Sequence, residues 1–262
     1  MSNDRIQIDY SLTFTTPFHF GTGLREGLID RSVRRNADGY LYMPGSTLKG
    51  LIRENCERLA RLFDPHNEQI DRIASPHDAE NALRDLYDPQ NTTVISEIFG
   101  SQCRPGLLFF DDAQQSKEDL KLYYSQDKSE QKGKYRNIQT DTYTQVRLDR
   151  ITRTSVAGAL YTSEFGLRNL AFHGSISGWL PHTPITGLDG ISHALLLLLA
   201  GLLMVDRIGG NKSTGKGACT LEITRIIIQD KNSGKDKEYG QEEWATWLDH
   251  LEKLKVSKGE QQ

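Results

Sequence analysis

The stretch "RIGGNKSTGKGACT", Arg207–Thr220, lies between two segments that each predict an element of secondary structure. It nearly matches a nucleotide-binding P-loop. Gly210, Gly215 and Lys216 fit the spacing G-x-x-x-x-G-K, but Gly217 replaces the Ser or Thr that would reach a magnesium ion. The apolar run "ALLLLLAGLLMV" before it predicts a core helix, and "ACTLEITRIIIQD" after it predicts a strand. A P-loop follows a strand and opens a helix, so the reversed order argues against ATP binding.

Two interpretations of this glycine loop remain. One is a helix C-cap with Gly209 or Gly210 in the left-handed conformation, followed by a turn. The other is a phosphate site, because glycines let backbone N–H groups approach a phosphate while lysines and hydroxyls add donors. We favour the phosphates of a nucleic acid, bound by Gly209, Gly210, Lys212, Ser213, Gly215, Lys216 and Gly217.

Composition limits the class of protein. The chain has 262 residues, of which 37% are hydrophobic and 26% charged, which fits one large domain or two small ones. The net charge of −3 means that a nucleic-acid site would be a local basic patch. Three widely spaced cysteines, a polar N-terminus and an apolar run too short to span a bilayer predict a cytoplasmic protein without a membrane partner.

The first third of the chain predicts a strand, a loop and a helix. Ile6–Phe18 alternates apolar residues at Ile6, Ile8, Tyr10, Leu12 and Phe14. After a Gly-bearing loop and the short strand "YLYM", Ser46 or Thr47 is expected to cap a helix. Its apolar stripe would be Leu48, Leu51, Ile52, Leu59, Leu62 and Phe63. Residues 64–91 are polar and Pro-interrupted, which indicates an insertion with a short helix near 78–86.

The remainder predicts a hairpin and further sheet strands. "GLLFFDDA" is expected to be a buried strand, and 114–136 a charged, mobile segment. Residues 135–165 predict a projecting hairpin, and "LAFHGSISGW" another strand. The core helix is predicted over 191–207, followed by a strand alternating at Leu221, Ile223, Arg225 and Ile227. A final amphipathic helix would bury Trp244, Trp247, Leu248, Leu251 and Leu254.

This order predicts an α+β protein of ferredoxin-like or RRM-like topology, with the first strand paired to the strand after the glycine loop. We expect one domain over residues 1–262, with the insertion at 64–91 and a thumb region at 114–166.

Four segments, in order, resemble the RAMP superfamily, the repeat-associated proteins of CRISPR systems. "LYMPGSTLKGLIR" resembles its strand–Pro-Gly-Ser–helix element, and "GGNKSTGKG" its C-terminal glycine-rich loop. "VRLDRITRTSVAGALYTSEF" resembles the thumb hairpin of type III effector backbone subunits, and "FGSQCRPGLLFFDDA" the segment before it.

The resemblance implies a modified RRM-like palm with a projecting β-hairpin thumb. Such subunits line up along a CRISPR guide RNA beside other effector subunits, and each thumb interrupts the guide–target duplex. A loop aspartate then supports metal-dependent cleavage of target RNA. Asp30 is the matching residue, and the divalent metal would most simply be Mg²⁺.

The chemistry expected of Asp30 is reasonable independently. RNA can be cleaved by its own 2′-OH, and a carboxylate can bind a metal or accept the hydroxyl proton. Alternatively, Asp30 caps a turn or pairs with Arg31 or Arg34. Some superfamily subunits bind RNA without cutting it, so a purely structural guide-binding subunit is the second hypothesis.

Basic residues supply the expected RNA contacts. The surface between Arg31 and Arg53 is expected to bind the guide backbone through Arg31, Arg34, Arg35, Ser46, Lys49 and Arg53. In the thumb, we expect unpaired bases to be held by Arg147, Arg150, Arg153 and Tyr161. The alternative is a solvated charged surface in both places.

Three further groups of polar residues are weaker candidates for a site. His19 and His173 could act as an acid–base pair, as in a guide-processing ribonuclease of the same superfamily. Asp111 and Asp112 are adjacent on a predicted strand and would point to opposite faces, which disfavours a shared metal. Zinc binding by His66 and His77 with Cys56 or Cys103 has no recognised spacing and stays unassigned.

Overall fold

The computed structural model describes residues 3–63, 93–101, 105–124, 139–181, 184–185, 188–229 and 236–253. The predicted insertion at 64–91, with its short helix, lies outside these ranges. None of the described helices is both long and apolar enough to cross a membrane.

A seven-stranded sheet organises the described part of the chain. Its strands are β1 (Asn3–Phe14), β2 (Tyr42–Met43), β3 (Leu108–Phe110), β4 (Ala113–Gln114), β7 (Ala171–Pro181), β10 (Cys219–Gln229) and β11 (Asp236–Tyr239). The order is β11-β10-β1-β7-β4-β2, with β3 also paired to β7. The central strand β1 is antiparallel to both β10 and β7. The predicted pairing of the first strand with the strand after the glycine loop is therefore confirmed.

The described residues also form five α-helices, four of which contribute buried residues to the core. They are α1 (Gly45–Phe63), α2 (Val94–Phe99), α3 (Lys117–Tyr124), α4 (His193–Leu203) and α5 (Gln241–Trp247); two 3₁₀ segments cover Lys212–Thr214 and Leu248–Lys253. Ile6, Ile8 and Tyr10 alternate inward as predicted, and the nearly all-apolar α4 lies in the same core. The α+β, RRM-like fold is thus confirmed.

The thumb is a separate two-stranded sheet of β5 (Thr140–Leu148) and β6 (Ser155–Gly166). A third two-stranded sheet is formed by β8 (Pro184–Ile185) and β9 (Leu188–Ser192). Most thumb side chains between 141 and 162 are exposed or half-buried, but Ser163 to Gly166 are buried at the base. Gln114, the first residue of the predicted thumb region, pairs with β7 in the main sheet.

Several local predictions were wrong for physical reasons. A β-bulge opposite Asp9 and Tyr10 shifts the alternation of β10, so Ile226 and Ile228 are buried while Arg225 is exposed. Leu62 is 67% exposed because it lies outside the core-facing stripe of α1. Of the segment 114–136, expected to be mobile, residues 114–124 contain α3, whose first turn is stabilised by the Ser116 hydroxyl accepting from the Asp119 N–H at 3.0 Å; residues 125–136 lie outside the described ranges.

The remaining helix boundaries differ slightly from the predictions. Helix α1 begins at Gly45, one residue before the expected cap, and α4 is shorter than the predicted 191–207. Trp244 and Trp247 are buried as expected, and Leu248 and Leu251 pack against the core. Leu254 lies outside the described residues.

Candidate functional site

Asp30 lies against the base of the thumb. Its N–H donates to the carbonyl of Thr162 at 2.9 Å, and its Oδ2 accepts from the Thr162 N–H at 2.9 Å. Its Oδ1 lies 3.4 Å from Nε of Arg25, whose side chain is 81% exposed. The Asp30 side chain itself is 30% exposed. The carboxylate is therefore fixed on one side by thumb backbone and open to solvent on the other.

The ionic partner of Asp30 is not one of the two arginines that the sequence suggested. The pairing residue is Arg25, not Arg31 or Arg34, as far as the described residues extend. An exposed pair of this kind contributes little energy, so a competing ligand could displace Arg25.

A complete metal site is not formed by the described residues, which contain no cluster of three His, Cys, Asp or Glu side chains able to hold an ion. Asp30 can nevertheless supply one carboxylate oxygen. Mg²⁺ is usually bound through one or two carboxylates together with substrate phosphates and water. Asp30 therefore fits a metal only if RNA completes the ligand set.

The short extended segment after Asp30 joins the thumb strand β6. Arg31 forms an isolated parallel β-bridge with Ser163, and the Arg31 carbonyl accepts a hydrogen bond from the Glu164 N–H at 2.9 Å. Both Arg31 and Arg34 are exposed. Arg35 forms a buried ion pair with Glu164, with side chains 11% and 5% exposed. Arg31 and Arg34 are thus open to an anion, whereas the guanidinium of Arg35, predicted as an RNA contact, is occupied by Glu164.

Glu164 makes stability depend on pH. Burial alone would raise the pKa of Glu164, but hydrogen bonds from Arg35, the Val33 N–H and Thr140, with the Arg35 charge, leave it below its ordinary value of 4.5. A carboxyl group whose pKa is lower in the folded state than in the unfolded state stabilises the fold at pH values above its unfolded-state pKa. This stabilisation is lost as the pH falls through the folded-state pKa. We therefore expect the free energy of unfolding to fall in acid below about pH 4.5. Urea titrations between pH 7 and pH 3 test this, and an equal slope in Glu164→Gln would contradict it.

The glycine loop uses its backbone donors internally. The N–H groups of Gly210 and Gly217 donate to the carbonyls of His19 and Pro17, at 2.9 and 2.8 Å. Those of Gly215 and Lys216 donate to Lys212 and Asn211. These four amides already have acceptors within the protein, so a phosphate at this loop would be bound mainly by side chains.

Backbone geometry accounts for most of the glycines. Gly209, Gly215 and Gly217 have φ of 97°, 84° and 75°, in the region that favours glycine. A side chain at Gly209 would meet the His19 carbonyl at 2.7 Å, and one at Gly217 would overlap the Ile208 carbonyl. Gly210 is also close, since an added carbon would lie 3.3 Å from the His19 ring. Backbone conformation and close packing therefore require glycine at more positions of this loop than the single helix C-cap that the sequence suggested.

Side chains of this loop remain suited to an anion. Lys212 and Ser213 are exposed. Lys216 lies over the aromatic rings of Tyr143 and Phe165 at the thumb base, 4.6 and 5.2 Å from their centroids. His19 connects the same elements, since its Nδ1 is 2.7 Å from the Glu164 carbonyl. The structure therefore brings the Asp30 loop, the glycine loop and the thumb base together; we call this region the thumb-base junction.

The predicted contacts on α1 are less open. Ser46 is exposed, but Lys49 is half-buried with Nζ 5.9 Å from the Phe110 ring centroid. Burial lowers the pKa of Lys49, and Arg53 lowers it further. Arg53 pairs with Glu57 at 3.0 Å and donates to the Gly100 carbonyl at 3.1 Å, with its side chain only 13% exposed. Arg53 thus stabilises the palm, and the open basic surface is narrower than predicted.

The thumb presents its basic residues to solvent. Arg147, Arg150 and Arg153 are exposed around the hairpin tip, and Tyr161 is half-buried. Asp149 stabilises the tip by accepting from the N–H groups of Ile151 and Thr152 at 2.7 and 3.1 Å. The three guanidinium groups remain available to a ligand.

The other candidate sites separate in the structure. His173 lies 3.9 Å from Asp119, whereas His19 contacts the thumb base, so each ring has a different partner. Asp112 accepts from the Gly45 N–H at 2.8 Å and so stabilises the start of α1. Cys56 is buried with its thiol pKa raised by burial, which disfavours the thiolate that zinc needs. His66, His77 and Cys103 lie outside the described residues.

Sequence reasoning missed Glu164, Thr162 and Arg25. The contacts of Glu164 and Thr162 join positions about 130 residues apart, such as Val33 and Glu164. A Glu in "LYTSEF" carries no local sign of burial, and a backbone N–H carries no side-chain signal at all. Arg25 could have been found, since it lies five residues before Asp30 on the same loop.

Comparison with known proteins agrees with this architecture. In solved structures, a chain of the type III-B Cmr-beta bound to cognate target RNA has a TM-score of 0.50 at 14% identity, over 82% of this chain and 96% of that one. A chain of the apo state of Cmr-beta gives 0.48 at 14% identity, over 83% and 96%. No curated protein matches. The model of the RAMP superfamily matches residues 11–220, which is most of the sequence. The chain therefore belongs to the RAMP superfamily.

Proposed function

We propose that this chain is a backbone subunit of a type III CRISPR effector complex, and that it binds guide RNA and cleaves target RNA beside its thumb. Membership of the RAMP superfamily and a fold similar to a chain of the RNA-bound Cmr-beta support the assignment to such a complex. Its partners are then guide RNA, target RNA and the other effector subunits.

The observation that carries the RNA-binding role is the thumb-base junction. Exposed cations border it on two elements, Arg31 and Arg34 in the Asp30 loop and Lys212 in the glycine loop, and the exposed arginines at 147, 150 and 153 continue the basic surface at the thumb tip. These side chains can bind successive phosphates of one strand, and phosphate contacts carry no sequence information. Such a surface suits a protein that accepts many guides.

Cleavage is assigned to Asp30. Because Oδ2 accepts from Thr162, Oδ1 remains for a divalent cation or for the proton of the attacking hydroxyl. The 2′-oxygen gives up its proton and bonds to phosphorus while the bond to the 5′-oxygen breaks, and water protonates the leaving 5′-oxygen, giving a 2′,3′-cyclic phosphate and a 5′-hydroxyl. A bound Mg²⁺ would stabilise the charge on the phosphate. In this proposal the thumb strand, through the Thr162 N–H, holds the Asp30 carboxylate beside the interrupted duplex.

One observation favours the non-catalytic alternative. Both Asp30 oxygens already have partners, Thr162 and Arg25, and no group of three metal-ligating side chains among the described residues includes Asp30. In that case Asp30 stabilises the loop, and another subunit cuts the target.

Purification under native conditions tests the assignment. We expect the chain to co-purify with short RNAs derived from CRISPR spacers. Replacing Lys212 and Arg31 by Ala should weaken RNA retention and reduce its dependence on salt, because fewer phosphate contacts release fewer counterions. Glu222→Ala, an exposed position on β10, serves as the control. Recovery of a chain free of RNA would contradict the proposal.

A further inference from the structure

Glu164 is a buried carboxylate at the foot of the thumb. Its residue is 4% exposed, although it lies on a hairpin whose outer part is largely solvated. It receives hydrogen bonds from both terminal nitrogens of Arg35 and one from the Val33 N–H at 3.0 Å. All of these donors belong to the segment that follows Asp30.

The same strand fixes Asp30 two residues away. Thr162 binds Asp30 through both its carbonyl and its N–H, and the Glu164 N–H donates to the Arg31 carbonyl. Asp30, Arg31 and Val33 are thus attached in sequence along one edge of β6. Residues with the same strand parity lie about 6.6 Å apart, so the Asp30 and Glu164 attachments are neighbours.

An ion pair is a costly way to hold two segments together. Removing two charges from water costs several kcal/mol per ion, and apolar residues of similar volume would often serve stability equally well. What the charged pair adds is direction, because a bidentate Arg–carboxylate contact has a fixed geometry. The pair therefore specifies where the Asp30 segment sits on the thumb.

We propose that Glu164, through Arg35 and Val33, is a positioning residue that sets the Asp30 carboxylate on the thumb strand, so that thumb and carboxylate move as one unit. This inference rests on the proposed cleavage by Asp30. The thumb would then determine both where the duplex is interrupted and where the carboxylate stands, which keeps the cut at a constant distance from the splayed base.

Glu164→Gln in the assembled complex tests the proposal. The amide keeps the shape but presents an NH₂ group to Arg35, so the segment loses its directed contact. We expect the rate constant for target cleavage to fall about 10- to 100-fold, since small misplacement of a catalytic group has effects of this size. The affinities for guide and target RNA should be unchanged.

Hydrogen exchange gives a readout that does not depend on cleavage. The Thr162 N–H should exchange faster in Glu164→Gln, because Asp30 no longer covers it reliably. Ile228→Val, at a buried position of β10, is the control that lowers stability without touching the thumb base. A merely structural role for Glu164 predicts that both variants lose cleavage equally and leave Thr162 equally protected; that result would overturn the proposal.

A second variant covers the case in which Glu164→Gln does not fold. Thr162→Pro removes the N–H that donates to Asp30, at a position whose N–H faces away from β5. It also removes the hydroxyl that lies 3.1 Å from the Thr144 hydroxyl, so Thr162→Val, which loses that hydroxyl but keeps the N–H, is its control. Slower cleavage with unchanged RNA affinity supports the proposal, and wild-type cleavage overturns it. If Asp30→Ala itself cuts normally, the proposed catalytic function fails; if Asp30→Ala is inactive while Thr162→Pro is fully active, only the positioning role fails.

Discussion

Asp30→Ala is expected to slow cutting of the target at this subunit's position by at least about 100-fold, because a positioned acid–base or metal-ligand carboxylate contributes factors of this size. The variant complex should still assemble and bind guide and target RNA. The loop itself should stay in place. Its backbone contacts to Thr162 and the buried Glu164 pair do not need the Asp30 side chain.

Asp38→Ala is the matched control for this experiment. Asp38 is an exposed aspartate of the same connection between β1 and β2, near a turn closed by the Gly39 N–H and the Asn36 carbonyl. Its removal changes the net charge equally and should leave cleavage unchanged. Full cutting by Asp30→Ala would assign this chain to the structural, non-catalytic class.

Gly217→Ala is expected to destabilise the fold by about 3 kcal/mol or more, since left-handed backbone costs a non-glycine residue 1–3 kcal/mol and a steric overlap adds to it. Gly217 has φ of 75°, and an added side chain would overlap the carbonyl of Ile208. Displacing that segment would also disturb the 2.8 Å hydrogen bond from the Ile208 N–H to the Gly217 carbonyl.

Gly215→Ala is the comparison within the same loop. Its φ is 84°, but an added side chain would meet no atom within 4 Å, so only the conformational cost of about 1–2 kcal/mol remains. Urea unfolding of both variants measures the difference. Equal losses would mean that close packing against Ile208 is not what requires glycine at 217.

The sequence predicted the elements whose signal is local. The alternation of Ile6, Ile8 and Tyr10 gave β1 its correct inward face, and the apolar run around Leu197 identified α4. The bulge near Thr224 was not predictable, because the extra residue is determined by pairing with Asp9 and Tyr10 on a strand more than 200 residues away.

The candidate site was predictable only in part. Asp30 was found by resemblance and the glycine loop from its own glycines, lysines and hydroxyls, and both lie at the thumb base in the structure. Whether a charged residue is open or buried depends on contacts distant in sequence, as Arg35 with Glu164 and Arg53 with Gly100 show. Likewise, the glycines were interpreted as leaving room for phosphate, whereas Gly209 and Gly217 make room for neighbouring backbone of the same chain.

Ultraviolet cross-linking of the purified ribonucleoprotein, with the modified peptides mapped by mass spectrometry, identifies the segments of this chain that contact RNA. If RNA binds at the thumb-base junction, we expect cross-links in the loop around Arg31, in the glycine loop around Lys212, and in the thumb between Tyr143 and Tyr161. Cross-links confined to β11 and α5, with these three segments unmodified, would contradict it.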